Sequence, residues 1–333
     1  MEPSKKIDLK EIVKIYKKNY SKIFHEFVTV QSDFLSDIYN RYNKDLDSAN
    51  IVLYFAKNLH GMTLRERDKD LDLNISFENF WNNHSKINQD SRKIIEIAES
   101  TGLPKETARR KVNWLIKNKV LYKDKKSISW SPPIEQKKSY NSVVDRQILQ
   151  ISKLLQIIAF HLNVNINKDK VSNELRNNFS FFWYHYIKTQ LEYLKMWQIE
   201  LNDLELVLIS LQCVIQTNLS FRNKNVSYEE HFVSKGDNSN EKFKNSTEDP
   251  SVSATSIAEI TGIPRATCIR KLEKLNRMKV IKKNTDTKRY SVDLKNLENN
   301  NINSKKITEN TIRMFSEFYL VVLKALDRKN IYN

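Results

Sequence analysis

Apolar residues recur at helical spacing along most of the chain. Ile12, Tyr16, Ile23, Phe27, Phe34 and Ile38 predict a long first helix, and Phe179, Phe182, Tyr186, Tyr193 and Trp197 predict its counterpart in the second half. A second helix follows each, capped by Asp47 or Ser48 and by Asn202 or Asp203. The stretch 204–215 (LELVLISLQCVI) is apolar almost all round, as expected of a helix buried centrally. Two pairs of short strands are predicted, 120–122 with 128–130 and 280–282 with 290–292, joined by the polar, basic turns KDKKS and KNTDTKR. A closing helix ends each half, near 143–162 and 307–326. Pro132-Pro133 and the Asn-rich run 299–303 separate these helices from the strands.

Between the central helix and the strands lies the most informative pattern. Residues 97–121 (IAESTGLPKETARRKVNWLIKNKVL) and 257–281 (IAEITGIPRATCIRKLEKLNRMKVI) align without a gap at an offset of 160, with 12 of 25 positions identical. Each has a small residue four before a glycine, Ala98 with Gly102 and Ala258 with Gly262, in a chain with only 4 glycines. Alanine lets two helices cross closely, and glycine supplies the left-handed backbone of a sharp interhelical turn. The repeat extends upstream. Ser76-Phe77-Glu78-Asn79-Phe80-Trp81 resembles Ser227-Tyr228-Glu229-Glu230-His231-Phe232, and a longer polar loop, 233–251, which reads as disordered, follows the second. The expected fold is therefore mostly α, a tandem duplication related by a pseudo-two-fold, with halves 1–165 and 166–333. The 333 residues are enough for two domains, each with its own core.

The net charge of +16 changes the picture because of where it sits. Residues 91–126 carry eleven Lys/Arg against four acids, and 253–290 carry ten against three, so each segment holds +7 and the rest of the chain is nearly balanced. Charge concentrated on the two motifs is the footprint of a surface that binds a polyanion. A helix-turn-helix followed by a basic hairpin is a winged helix, whose second helix enters the major groove while the hairpin follows the backbone. The units span about 91–130 and 253–293. In the first, Ala108, Val112 and Leu115 form the inward stripe, leaving Lys105, Thr107, Arg109, Arg110 and Asn113 on the outer face or its flanks. In the second, Cys268, Leu272 and Leu275 turn inward, leaving Arg265, Thr267, Ile269, Arg270 and Lys274. Arginine can bond guanine bidentately and asparagine can bond adenine so, while Lys105 and Thr107 suit phosphates. Hairpin candidates are Lys123, Lys125 and Lys126, then Lys283, Lys288 and Arg289.

The runs Thr101-Gly102-Leu103-Pro104-x-x-Thr107-x-x-Arg110 and Thr261-Gly262-Ile263-Pro264-x-x-Thr267-x-x-Arg270 resemble the winged helices of MarR-like and IclR-like bacterial transcription regulators. The order long helix, central helix, helix-turn-helix, hairpin, closing helix is also similar to the MarR-like one. That resemblance implies two readers meeting successive major grooves of double-stranded DNA, here from one chain acting as a covalent pseudo-dimer. A sequence-specific transcriptional regulator is the expected function. A plasmid-type replication initiator, which can also carry two winged helices, and a chromosome-associated scaffold whose winged helices bind protein are the alternatives.

Other chemistry is sparse. No nucleophile elbow, phosphate-cradling glycine loop or Cys-x-x-Cys occurs, so the chain does not read as an enzyme, and no cofactor is expected. Glu229-Glu230-His231 reads as a solvated turn rather than a metal site. The aromatic groups Phe181, Phe182, Trp183, Tyr184 and Tyr186, and Phe24, Phe27 and Phe34, suit either core packing or the wall of an effector pocket. Cys213 and Cys268 lie in apolar helical contexts, which points to a reducing compartment. The first residues lack a signal-peptide core and no apolar run is long enough to span a bilayer, so a cytoplasmic protein without membrane contact is expected.

Overall fold

The computed structural model describes residues 7–124, 127–222, 226–232, 250–293 and 302–332. These are mostly helical, with two two-stranded antiparallel sheets among the described residues. The first half runs α1 (Leu9–Lys18), α2 (Tyr20–Arg41), α3 (Leu46–Lys69), α4 (Phe77–Asn83), α5 (Ile94–Thr101), α6 (Lys105–Lys117), β1 (Tyr122–Asp124), β2 (Ser127–Ser129) and α7 (Lys137–His161). The second runs α8 (Lys168–Asn177), α9 (Phe179–Leu201), α10 (Leu204–Arg222), α11 (Tyr228–Phe232), α12 (Ala254–Thr261), α13 (Arg265–Arg277), β3 (Ile281–Lys283), β4 (Tyr290–Val292) and α14 (Ser304–Tyr332). Element for element, the order recurs. The first hairpin pairs Tyr122 with Ser129, two residues beyond its predicted start, and no helix of the described residues is long and apolar enough to cross a membrane.

The predicted long first helix of the first half is two helices, broken at Asn19, whereas in the second half the predicted helix is α9 unbroken, and the shorter α8 precedes it across Asn178. At each junction the asparagine side chain turns back on the preceding helix: Asn19 Nδ2 donates to the backbone Ile15 O (3.0 Å), and Asn178 Nδ2 to the side-chain Oε1 of Glu174 (2.9 Å). The break frees amides at the start of the next helix, and the opposite half accepts them. Ser21 N donates to Val226 O (3.0 Å) and Ser180 N to Ile75 O (3.1 Å). The short aromatic helices that follow these carbonyls then pack where the chain has bent. Phe77 of α4 meets Phe179 with ring centroids 4.9 Å apart, and Tyr228 of α11 meets Tyr20 at 5.5 Å. His231 accordingly sits in α11 against Tyr20 at 5.0 Å, not in the solvated turn its sequence context predicts.

The interlock continues through the long helices. Helix α2 packs on α10 and α3 on α9, while α1 packs on α14 and α8 on α7. Each pairing has its reciprocal, which is the pattern a two-fold interface produces. The central helix α10 is buried as expected, with Leu206, Val207, Leu208, Ile209 and Cys213 fully covered. The halves do not have separate cores, however: buried residues from Ile7 to Leu326 form one contiguous cluster. The contact of α3 with α9 runs between the halves, so each half covers apolar surface of the other, alongside α5 and α6 on α3 and α14 on α9. The first central helix is capped by Asp45, whose carboxylate accepts from Asp47 N (3.2 Å), two residues before Asp47 and three before Ser48.

One buried residue makes this core sensitive to acid. His60 is fully buried between Phe80 (5.3 Å) and Phe179 (5.2 Å), and neither ring nitrogen has a hydrogen-bond partner among the described residues. Burial pushes its pKa down to about 3. The unfolded state therefore binds a proton that the folded state refuses between the ordinary histidine value and about 3, and stability falls as pH drops through that window. At pH 4.5 the loss from His60 should be about 3 kcal/mol relative to pH 7. Urea unfolding at both pH values, on the natural chain and on His60→Leu, checks this. Equal pH dependence in the two proteins would show that His60 is not the source.

Candidate nucleic-acid interface

Each motif is built as the spacing predicts. Ile97, Ala98 and Thr101 turn inward from α5, and the chain reverses through Gly102 at φ 74°. Gly262 does the same after α12, also at φ 74°. The turns need glycine twice over. A Cβ on Gly102 would lie 3.3 Å from the backbone oxygen of Lys195 on α9, and one on Gly262 would lie 2.7 Å from Asn40 Oδ1 on α2. Each turn thus rests on the long helix of the opposite half. The preceding threonines hold the turn: Thr101 Oγ1 donates to Ile97 O and Thr261 Oγ1 to Ile257 O, both at 2.7 Å. Asn50 Nδ2 from α3 donates to Thr101 O (3.1 Å), tying the turn to the core.

Helices α6 and α13 begin after Pro104 and Pro264, and bury Ala108, Val112, Leu115 and Cys268, Leu272, Leu275 completely. Both end in the left-handed conformation at a lysine rather than a glycine, Lys119 (φ 56°) and Lys279 (φ 58°), where Val120 N and Val280 N return to Leu115 O and Leu275 O. A residue that sequence reasoning counted only as surface charge fixes each helix in place. Lys111 Nζ meets Asp45, the cap of α3, at 2.5 Å. Lys271 Nζ meets Asp203 at 2.5 Å and Glu205 at 3.0 Å at the start of α10. The signal was available, since Lys111 and Lys271 fall at the 160-residue offset on the inner flank of the buried stripe.

The outer faces carry most of the predicted residues. Lys105, Arg109, Arg110 and Asn113 are exposed on α6 and Thr107 is half-buried. Arg265, Arg270 and Lys274 are exposed on α13, with Thr267 and Ile269 half-buried. Lys105, Arg109 and Asn113 share one face, four residues apart. Arg109 is held as a fork by Glu106, at 2.9 Å from Nε and 2.6 Å from Nη2. That hydrogen bond holds the Glu106 carboxyl below its ordinary range. An exposed pair of this kind contributes little to stability and opens readily to a better anion.

The hairpins differ more. Lys123 is exposed, whereas Lys125 and Lys126 lie outside the described residues. In the second hairpin Lys288 is exposed, in the left-handed region (φ 56°). Two expected backbone cations have other partners. Lys283 is clasped by Glu273 of α13 (2.7 Å), which also accepts from the Tyr290 hydroxyl (2.9 Å), and these contacts hold the Glu273 carboxyl below its ordinary range. Arg289 is turned inward: Nε and Nη2 donate to Ser251 O at 3.2 and 2.6 Å, which fastens the chain entering α12. Next to it Val252 and Tyr290 exchange backbone hydrogen bonds (2.8 and 2.9 Å), a one-residue third strand. At the corresponding place in the first half a side chain substitutes for that strand. Gln89 donates to Trp130 O (2.8 Å) and accepts from Trp130 N (3.2 Å).

Comparison with protein-family models, with curated proteins and with solved structures finds no match for this chain.

Proposed function

We propose that this chain binds double-stranded DNA through two winged-helix units, and that it acts as a transcriptional regulator whose single polypeptide supplies both readers of a pseudo-two-fold pair. One observation carries the reading. Two helix-turn-helix and hairpin units, identical in element order, each present a basic outer face on the second helix while its inner face is locked to the core by Lys111 or Lys271. The reciprocal packing of α2 on α10 and α3 on α9 supports the pseudo-dimer, because a symmetric interface between separate subunits would pair the same helices. The MarR-like order of elements in the sequence agrees with this reading.

The two readers are not equivalent. Ile269 stands at the position of Arg109 and Glu273 at that of Asn113. An aliphatic group can at most touch a thymine methyl, and the Glu273 carboxylate is already engaged by Lys283 and Tyr290. The preferred site should therefore be asymmetric, with more sequence information in the half read by α6.

Selection of duplexes from a random pool, followed by sedimentation of the complex, tests the proposal. The expected result is one chain on a non-palindromic site. Two chains on a palindrome would overturn the pseudo-dimer, and no enrichment would overturn DNA reading. Arg109→Ala should weaken the selected site about ten- to a hundredfold and relax preference at one or two positions. A uniform loss across all sequences would assign Arg109 to phosphate contact.

A further inference from the structure

A true two-fold dimer carries the same charges at both ends, whereas a duplicated chain is free to make its ends differ. Helices α1 and α8 correspond residue for residue, and one pair of positions still does the same work. Lys17 pairs with Glu309 of α14 (3.7 Å) and lies 4.5 Å over the Tyr228 ring. Arg176 pairs with Asp145 of α7 and with Glu78 of α4 (3.6 Å), and lies 5.2 Å over the Phe77 ring. The outer positions have parted. Lys10, Lys14 and Lys18 of α1 stand where α8 has Asp169, Asn173 and Asn177. Four residues apart, they share one face of the helix at a spacing of about 6 Å. All three are exposed and make no ion pair among the described residues. Together with Lys17 they line a groove of about 570 Å³ between α1 and α11, whose wall also holds the half-buried Val13 and one acid, Glu229.

The opposite charge lies at the place the pseudo-two-fold exchanges with this one. The turn 70–75 leads into α4, which packs on α8 and α9, while the groove lies on α11 and α1. Asp68, Asp70 and Asp72 are exposed there and make no ion pair among the described residues. The neighbouring cations are occupied, Lys69 by Glu66 (2.9 Å) and Arg67 by Leu73 O (3.1 Å). Leu71 stands between the aspartates at 77% exposure, more than any other large apolar residue described. The matching connection of the second half, 222–227, contains no acid.

We propose that the acidic turn 68–72 of one copy of this chain docks in the α1 groove of the next, so that copies join head to tail. Charge selects the occupant. At +16, copies repel one another over most of their surface, so association needs a local patch of the opposite sign, and this turn supplies one. Its three carboxylates complement the four lysines of the groove, and Leu71 exchanges water for Val13. Within one chain the turn and the groove stay apart, because α4 and α11 are packed on different helices. A groove-to-turn contact is heterologous, so each docked copy leaves a free groove at one end and a free turn at the other, and the assembly stays open. No residue of α6 or α13 takes part, so the contact is independent of the DNA-binding reading.

Sedimentation velocity of the full chain, freed of nucleic acid, tests this. At about 50 mM salt the weight-average mass should rise with protein concentration past that of a dimer, and at about 500 mM it should return to that of a single chain, because salt screens the charges. Lys14→Gln with Lys18→Gln should weaken association at least about tenfold, and Asp68→Asn with Asp72→Asn should do the same. These four side chains are exposed and bond to no other described residue, so both variants should fold, as circular dichroism will show. Mixed in equal amounts, the two variants should associate again but only in pairs, since one intact groove then meets one intact turn. A natural chain that stays monomeric at low salt would overturn the proposal, as would an aspartate variant that associates as before. A mixture that stays monomeric would overturn it too, because a groove-to-turn contact requires the intact partners to find each other.

Discussion

Duplex affinity should fall roughly a thousandfold between about 50 and 200 mM salt, with log K declining against log salt at a slope of about −5. The magnitude follows from which cations the fold leaves available. Lys105, Arg110 and Lys123 in the first unit, and Arg265, Arg270, Lys274 and Lys288 in the second, are exposed, and none makes an ion pair among the described residues. Lys111 and Lys271 are spent on capping aspartates, Lys283 on Glu273 and Arg289 on Ser251, so they release no counterions on binding. Six phosphates neutralised by the available set give a slope near that value, since each released counterion contributes about 0.9. Fluorescence anisotropy of a labelled duplex of ~25 base pairs over a salt series measures it. A flat response would sink DNA binding and leave the winged helices as protein-docking modules.

Lys271→Met should destabilise the fold by about 3 kcal/mol, and Lys111→Met by about 1 kcal/mol. The two lysines make the same ion pair in the two halves, but the Lys271 side chain is 9% exposed and faces two carboxylates, whereas the Lys111 side chain is 23% exposed and faces one. Four acids crowd this place. Burial first, and then Asp45, Asp203 and Glu205, raise the pKa of Asp47, while Lys111 lowers it. Removing a buried ammonium leaves its carboxylates unpaired and repelling one another, which costs more than the original attraction suggests. Urea unfolding at pH 7 reads both variants. Equal small losses would mean that solvent already screens the Lys271 pair. Because α13 is anchored through Lys271, the same variant should weaken DNA binding alike on all sequences.

The two motifs and their inward stripes were legible because their determinants are local. A three-residue or four-residue apolar spacing selects one helix face, and Gly102 and Gly262 mark turns whose φ of 74° other residues enter with difficulty. The outer-face residues of α6 and α13 followed from the same spacing. The hairpin cations did not. Lys283 and Arg289 look no different in sequence from Lys288, but their fate depends on Glu273 and Ser251, brought near by packing.

By itself, the sequence determined that the chain is mostly helical and internally repeated, with positive charge concentrated on two turn-linked helix pairs. Periodicity, turn chemistry and charge counts act within about a dozen residues, so they can be read without the fold. Only the tertiary structure decided that the first long helix breaks at Asn19, where the freed amide of Ser21 is accepted by Val226 of the opposite half. It also decided that the halves share one core, and that Lys111 and Lys271 hold their helices to it through Asp45 and Asp203. Each outcome turns on whether a backbone or side-chain group meets water or a partner distant in sequence, and burial of that kind is a property of the assembled chain.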